Sequence, residues 1–205
     1  MTLLSEIEDF RNVVEGIYGT YLDTVDGFGK VYDDVAKQEA EAIASIEELK
    51  QRRPDLAHLS FGGMEIAHGR TIPAGSPSFT GHLHQVSSEV ILERNRPNGE
   101  NHRLVAAMII VTLYQYWDEH YRDRIATKLG TAREHIVSDL FGDLRYFRNA
   151  IIHRRGKATR ECEKTKLLKW FKYNDPIEFT KAQVEEIIDR IFDYLRSIEG
   201  GSKCT

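Results

Sequence analysis

The chain has 205 residues, 41% of them apolar and 29% charged, with a formal net charge of −4. That length suits one domain, with or without a sizeable insertion, and the apolar share excludes a chain too polar to bury a core. A whole-molecule attraction to a nucleic-acid backbone is excluded as well, so any polyanion site has to be local.

Leu4, Ile7, Phe10, Val14 and Ile17 recur every three or four residues, which predicts a helix over residues 3–21. The glycines of "DGFG" at 26–29 are expected to interrupt it. A second helix, rich in Ala, Glu and Lys, is expected over 31–53 and should stop before Pro54. Residues 57–100 scatter Gly, Pro, Ser and His without a helical period. That is too long for an ordinary loop, so an insertion is expected, with "MEIAH" and "SSEVILE" extended.

From Asn101 the helical pattern resumes, and Ile110, Leu113, Tyr114, Trp117, Tyr121 and Ile125 form one stripe ending near Gly130. "TARE" at 131–134 has capping-box spacing. The next helix is therefore expected to begin at Thr131 and to end at Gly156, a left-handed C-cap. "TKAQ" at 180–183 is a second capping box, opening a last helix with Val184, Ile187, Ile188, Ile191, Phe192 and Leu195 facing inward. The pattern predicts an all-α, up-and-down helical bundle: one domain over 1–199 with an irregular insertion at 57–100, then a flexible tail at 200–205.

The start "MTLLSEIEDFRNVV" lacks the basic opening and long apolar core of a signal peptide. The longest apolar run, "LVAAMIIVTLY", is too short to span a bilayer. Cys162 and Cys204 make no disulfide framework and no Cys-x-x-Cys pair. A cytoplasmic protein without membrane contact is the expectation.

Candidate chemistry gathers in the helix expected over 131–155. At about 100° per residue, Val137, Leu140, Leu144, Phe147 and Ile151 share one narrow face, the expected core. Arg145, Arg148, Asn149 and His153 fan across the neighbouring arc, with Phe141 and Ile152 among them, and Asn149 and His153 lie one turn apart. From Asp143 to Lys172, ten Lys and Arg stand against three Asp and Glu, a local balance of +7. Helix C-termini favour cations, which accounts for two or three of them. Arg154, Arg155, Lys157 and Arg160 follow His153 directly, where phosphates could run.

An Arg with a His five positions on is weak by itself. With 17 Arg and 8 His, chance supplies about 0.7 such pairs, and Arg53 with His58 is a decoy broken by Pro54. The context of "RNAIIH" carries more. Here Asn follows Arg, apolar flanks face inward, and the helix is the penultimate long one of an all-α chain. In these features residues 101–199 resemble the HEPN family (higher eukaryotes and prokaryotes nucleotide-binding), helical bundles that include many metal-independent endoribonucleases. The resemblance implies Arg148, Asn149 and His153 as catalytic residues in a homodimer, with RNA products ending in a 2′,3′-cyclic phosphate and a 5′-hydroxyl. It also implies a supporting polar or acidic residue from an earlier helix, for which Asp118 and Glu119 are the candidates. No metal and no cofactor is expected. A toxin or phage-defence role, restrained by an antitoxin or other regulatory protein, follows by analogy only.

The chemistry suits those residue types in its own right. Metal-free RNA cleavage needs a group that takes one proton and gives another, which imidazole does near neutral pH. It also needs a fixed cation on the phosphate, which a guanidinium supplies through a two-pronged fork. Arg145, Arg154, Arg155, Lys157 and Tyr146 are the candidate substrate contacts. Two other readings stay open: a non-catalytic bundle that binds RNA or nucleotide or only dimerises, and a metal enzyme built on His68, His82, His84 and His102. Exposed histidines on an insertion explain the last group more simply. "GFGK" at 27–30 lacks the glycine and hydroxyl of a phosphate loop. Tyr114, Trp117 and Tyr121 are expected in the core, although such rings can also stack on bases.

Overall fold

The computed structural model describes residues 2–68 and 84–201. It is mostly helical, an all-α bundle with one small pair of strands. In order, α1 runs Leu3–Arg52, β1 Glu65–His68, β2 His84–Ser87, α2 Ser88–Asn95 and α3 Glu100–Tyr116. A π-helical turn at Trp117–Tyr121 leads into α4, Arg122–Leu129, followed by α5, Asp139–His153, and α6, Lys181–Gly201. No helix of the described residues is long and apolar enough to cross a membrane. The chain divides into two compact units, residues 1–25 with 102–205 and residues 26–101, the second of which contains the segment 57–100.

The break expected at "DGFG" does not occur, because α1 passes through Gly27 and Gly29 without interruption. Each glycine costs a helix about 1 kcal/mol, which the apolar positions Tyr21, Val25 and Val35 offset by burial on either side. The helix does stop before Pro54, which opens a single 3-10 turn.

In the first unit, Phe10 of α1 stacks on Tyr121 at 4.5 Å, and Trp117 stacks on Phe141 of α5 at 4.3 Å. Tyr194 of α6 meets Trp117 edge-on at 5.4 Å. Leu113, Trp117, Tyr121 and Ile125 are all buried although each lies four residues beyond the last. On a straight α-helix every such step overshoots a full turn by about 40°, so the stripe would rotate off the core. The wider π-turn takes up that drift and keeps Tyr121 and Ile125 inward.

Helix α5 begins at Asp139, not at Thr131. Thr131 N–H donates to the Ala126 carbonyl, closing the C-cap of α4 around left-handed Gly130, and its hydroxyl meets His135 Nδ1. The end of one helix thus claims the residue that would have capped the next. Ser138 caps α5 instead, its hydroxyl accepting from Phe141 N–H. Val137 falls outside the helix and is 70% exposed rather than core, while Phe141, placed by spacing on the contact arc, is buried. The expected stop holds, since Gly156 is left-handed and its N–H donates to the Ala150 carbonyl.

"TKAQ" forms its box: Thr180 N–H donates to Gln183 Oε1 and Gln183 N–H to Thr180 Oγ1. Val184, Ile187, Ile188, Ile191 and Leu195 are buried and Phe192 half-buried. Residues 200 and 201 belong to α6 rather than to a tail.

In the second unit β1 and β2 pair antiparallel, Glu65 opposite Ser87 and His68 opposite His84. "MEIAH" is therefore extended as expected, whereas "SSEVILE" is mostly helix α2, opened by Ser87 as N-cap. Buried Ser88 donates to Glu39 of α1 and accepts from Met64 N–H. A Cβ on Gly99 would lie 2.6 Å from the Arg94 carbonyl oxygen, so only glycine fits the turn after α2.

Candidate active site

The C-terminal half of α5 carries the motif residues on the edge of the first unit. Leu144, Phe147 and Ala150 are buried, and Ile151 half-buried, which turns Arg148 and Asn149 to a half-buried border and His153 to an exposed last turn. One Arg148 terminal nitrogen donates to Asn149 Oδ1 at 3.1 Å and lies 3.5 Å from His153 Nε2. A guanidinium only donates, so that long contact uses Nε2 as an acceptor. Asn149 and His153 are therefore linked through Arg148, not directly to each other as one-turn spacing suggests.

Just beyond lies a groove of about 720 Å³. Asn149, His153, Arg154 and Lys157 line one part of it, and Arg160, Glu161, Tyr173 and Asn174 another. The segment after α5 is irregular but firmly tied. Ala158 N–H donates to the Asp175 carbonyl, Asn174 N–H to the Ala158 carbonyl and Ile177 N–H to the Gly156 carbonyl, each within 2.9 Å. Phe147 packs against Trp170, Phe171 and Phe179 at ring distances of 5.3 to 6.2 Å. Beneath, buried Asp143 accepts from the N–H groups of Lys166, Leu167 and Leu168 at 2.8 to 2.9 Å. One carboxylate thereby satisfies three successive backbone donors, of which the one on buried Leu168 would otherwise be left without a partner.

The remaining candidates disperse. Arg154, Arg155 and Lys157 are exposed. Of these, Arg154 and Lys157 face the groove, while Arg155 takes the left-handed position at the helix end. Arg145 lies over the ring of half-buried Tyr146 at 5.4 Å, and neither lines the groove. Asp118, on the π-turn, is held by Arg133 at 2.9 Å and Arg122 at 3.4 Å. With Arg145 and Tyr114 it lines a separate cavity of about 530 Å³. Burial pushes the Tyr114 phenol up, Asp118 adds to this, and Arg145, Arg122 and Arg148 oppose it. Glu119 is exposed and accepts from Gln115 at 3.1 Å. Neither acid joins His153 within the described residues of one chain.

Trp117 and Tyr121 are core residues and offer no stacking face. His82 and the side chains of His68 and His84 lie outside the described residues, and among the described residues no three His, Cys, Asp or Glu are placed to hold a metal. "GFGK" is helical within α1. Spacing alone overlooked Tyr173 and Asn174. The turn signal in "YNDP" at 173–176 was the available clue, since it folds a loop back beside the motif helix.

These features define a helical-bundle protein with a cationic, imidazole-bearing groove at the end of one helix. Compared with family models, with curated proteins and with solved structures, the chain matches none.

Proposed function

We propose that this chain is a metal-independent endoribonuclease of HEPN type. The observation that carries the reading is the Arg148 guanidinium, which does not itself line the basic groove but touches Asn149 Oδ1 and His153 Nε2, two residues that do. Arg148 holds the scissile phosphate, His153 moves the proton, and Asn149 positions the guanidinium between them. The substrate 2′-oxygen attacks phosphorus while its proton passes to an imidazole. As the O2′–P bond forms, the P–O5′ bond breaks and the departing 5′-oxygen takes a proton from a second imidazole. The products carry a 2′,3′-cyclic phosphate and a 5′-hydroxyl.

His153 is the one histidine among the groove's lining residues, so a second copy, related by a two-fold axis, supplies the other imidazole. Arg154, Arg155 and Lys157 take flanking phosphates, and Arg145, steadied over Tyr146, meets the strand further along. By analogy the protein works on cytoplasmic RNA as a toxin or defence effector, restrained by a partner protein.

The test is incubation of the purified full chain with mixed RNA in EDTA. New 5′-hydroxyl and cyclic-phosphate ends are expected from wild type and none from His153→Ala. Intact RNA in both EDTA and magnesium, with RNA still bound, would move the chain to the non-catalytic binding reading.

A further inference from the structure

Nothing in the reaction above uses Tyr173. It stands 50% exposed on the wall of the groove that holds His153, and the Arg160 guanidinium lies over its ring at 5.4 Å. That contact is attractive, and it places a cation beside an aromatic ring at the groove, the pair of groups on which nucleobases stack. The Tyr173 backbone is fixed, for its N–H donates to Glu163 Oε1 and the next residue, Asn174, is left-handed at φ 70° and bonded to Ala158. The ring is therefore presented by a rigid turn. Arg154, Lys157 and Arg160 supply three cations around the groove against one carboxylate, Glu161.

We infer that Tyr173 and Arg160 form a nucleobase subsite, in which an unpaired RNA base stacks on the Tyr173 ring while neighbouring phosphates meet Arg154 and Lys157. The groove, about 720 Å³, is of the size that holds ligand-scale groups. A ring face recognises any base by stacking and a guanidinium adds to it, whereas hydrogen-bond readout would need convergent donors and acceptors. In an A-form duplex every base face is already covered by its neighbours, so this subsite selects single-stranded over double-stranded segments. The inference rests on the ribonuclease reading for the polymer, and on the groove for where the base sits.

The experiment measures binding of a short fluorescent 2′-O-methyl oligoribonucleotide, which lacks the attacking hydroxyl and stays intact, as a single strand and as a duplex of the same sequence. Tyr173→Ala is expected to weaken single-strand binding roughly tenfold or more, and Tyr173→Phe by less than about threefold. Duplex binding should stay unchanged in both variants. Thermal melts of the variants matching wild type rule out misfolding as the cause, and the exposure of Tyr173 leads to that expectation. Unchanged single-strand binding by Tyr173→Ala, equal losses for Ala and Phe, equal losses on duplex, or no binding by wild type would each overturn the subsite. If wild type leaves RNA uncut while this binding pattern holds, the subsite stands and the nuclease reading falls. Cleavage by wild type with Tyr173→Ala binding normally gives the reverse.

Discussion

Asp143 and Arg148 lie on the same helix little more than one turn apart, and their surroundings differ in kind. The Asp143 carboxylate is 2% exposed and accepts three backbone N–H bonds, so its capacity is spent inside the protein. Arg148 is half-buried, donates to one neighbour at 3.1 Å and makes one long contact to His153, which leaves most of its five N–H donors for something else. A polar group whose bonds all close within the fold serves the fold. A cation held in place with donors to spare can meet a ligand, the role proposed for Arg148. The basic run from Asp143 to Lys172 contains both, and composition alone does not separate them.

Changing each end of the helix tests the distinction. His153→Ala should lower RNA cleavage by about 10²- to 10⁴-fold in a rate assay while leaving the melting temperature nearly unchanged, because the side chain is exposed. A large loss of stability in that variant would show that the outer end also builds the fold. Asp143→Ala should do the opposite kind of damage. Three backbone donors lose their acceptor, the one on Leu168 in a buried position, which costs about 2 kcal/mol and lowers the melting temperature by roughly 4 to 8 °C in a calorimetric scan. A stable Asp143→Ala protein would mean that water reaches those amides.

Smaller effects sharpen the contrast. Thr180→Ala removes one half of the capping box before α6 and should cost about 1 kcal/mol by chemical denaturation, with cleavage unaltered. High pH gives the least effect under ordinary conditions. Burial, with the hydrogen bond to Asp9 and its charge, pushes the Tyr121 phenol up to about 12, and burial does the same for Tyr194. Both folded values lie above the unfolded one. Their contribution is therefore fully present below about pH 10 and lost as pH rises through about 12. Melting temperature should fall across that window, and Tyr121→Phe should flatten part of the fall.

The grouping of the candidate site residues was legible in the sequence because they sit close together on one helix. Neighbours along a helix stay neighbours in space, so "RNAIIH" already implied that Arg148, Asn149 and His153 share an edge. The partners of those residues were not legible. Asp143 meets Lys166, Leu167 and Leu168 more than twenty residues away, and Tyr173 enters the groove through a turn without a helical period. Asp118 showed the limit in the other direction. Its residue type suited a supporting acid, yet Arg122 and Arg133 hold it in another cavity.

Periodicity and capping chemistry by themselves determined that this chain is helical, where α6 begins, why the first helix stops at Pro54 and why α5 ends before Gly156. Each of these depends on residues within a turn or two, where covalent spacing sets the geometry. Tertiary packing decided that α1 runs on through "DGFG" and that a π-turn keeps Tyr121 inward, while the C-cap of α4 took Thr131 and left Ser138 to open α5. In the first two cases burial of distant apolar surface outweighs a local cost of about 1 kcal/mol.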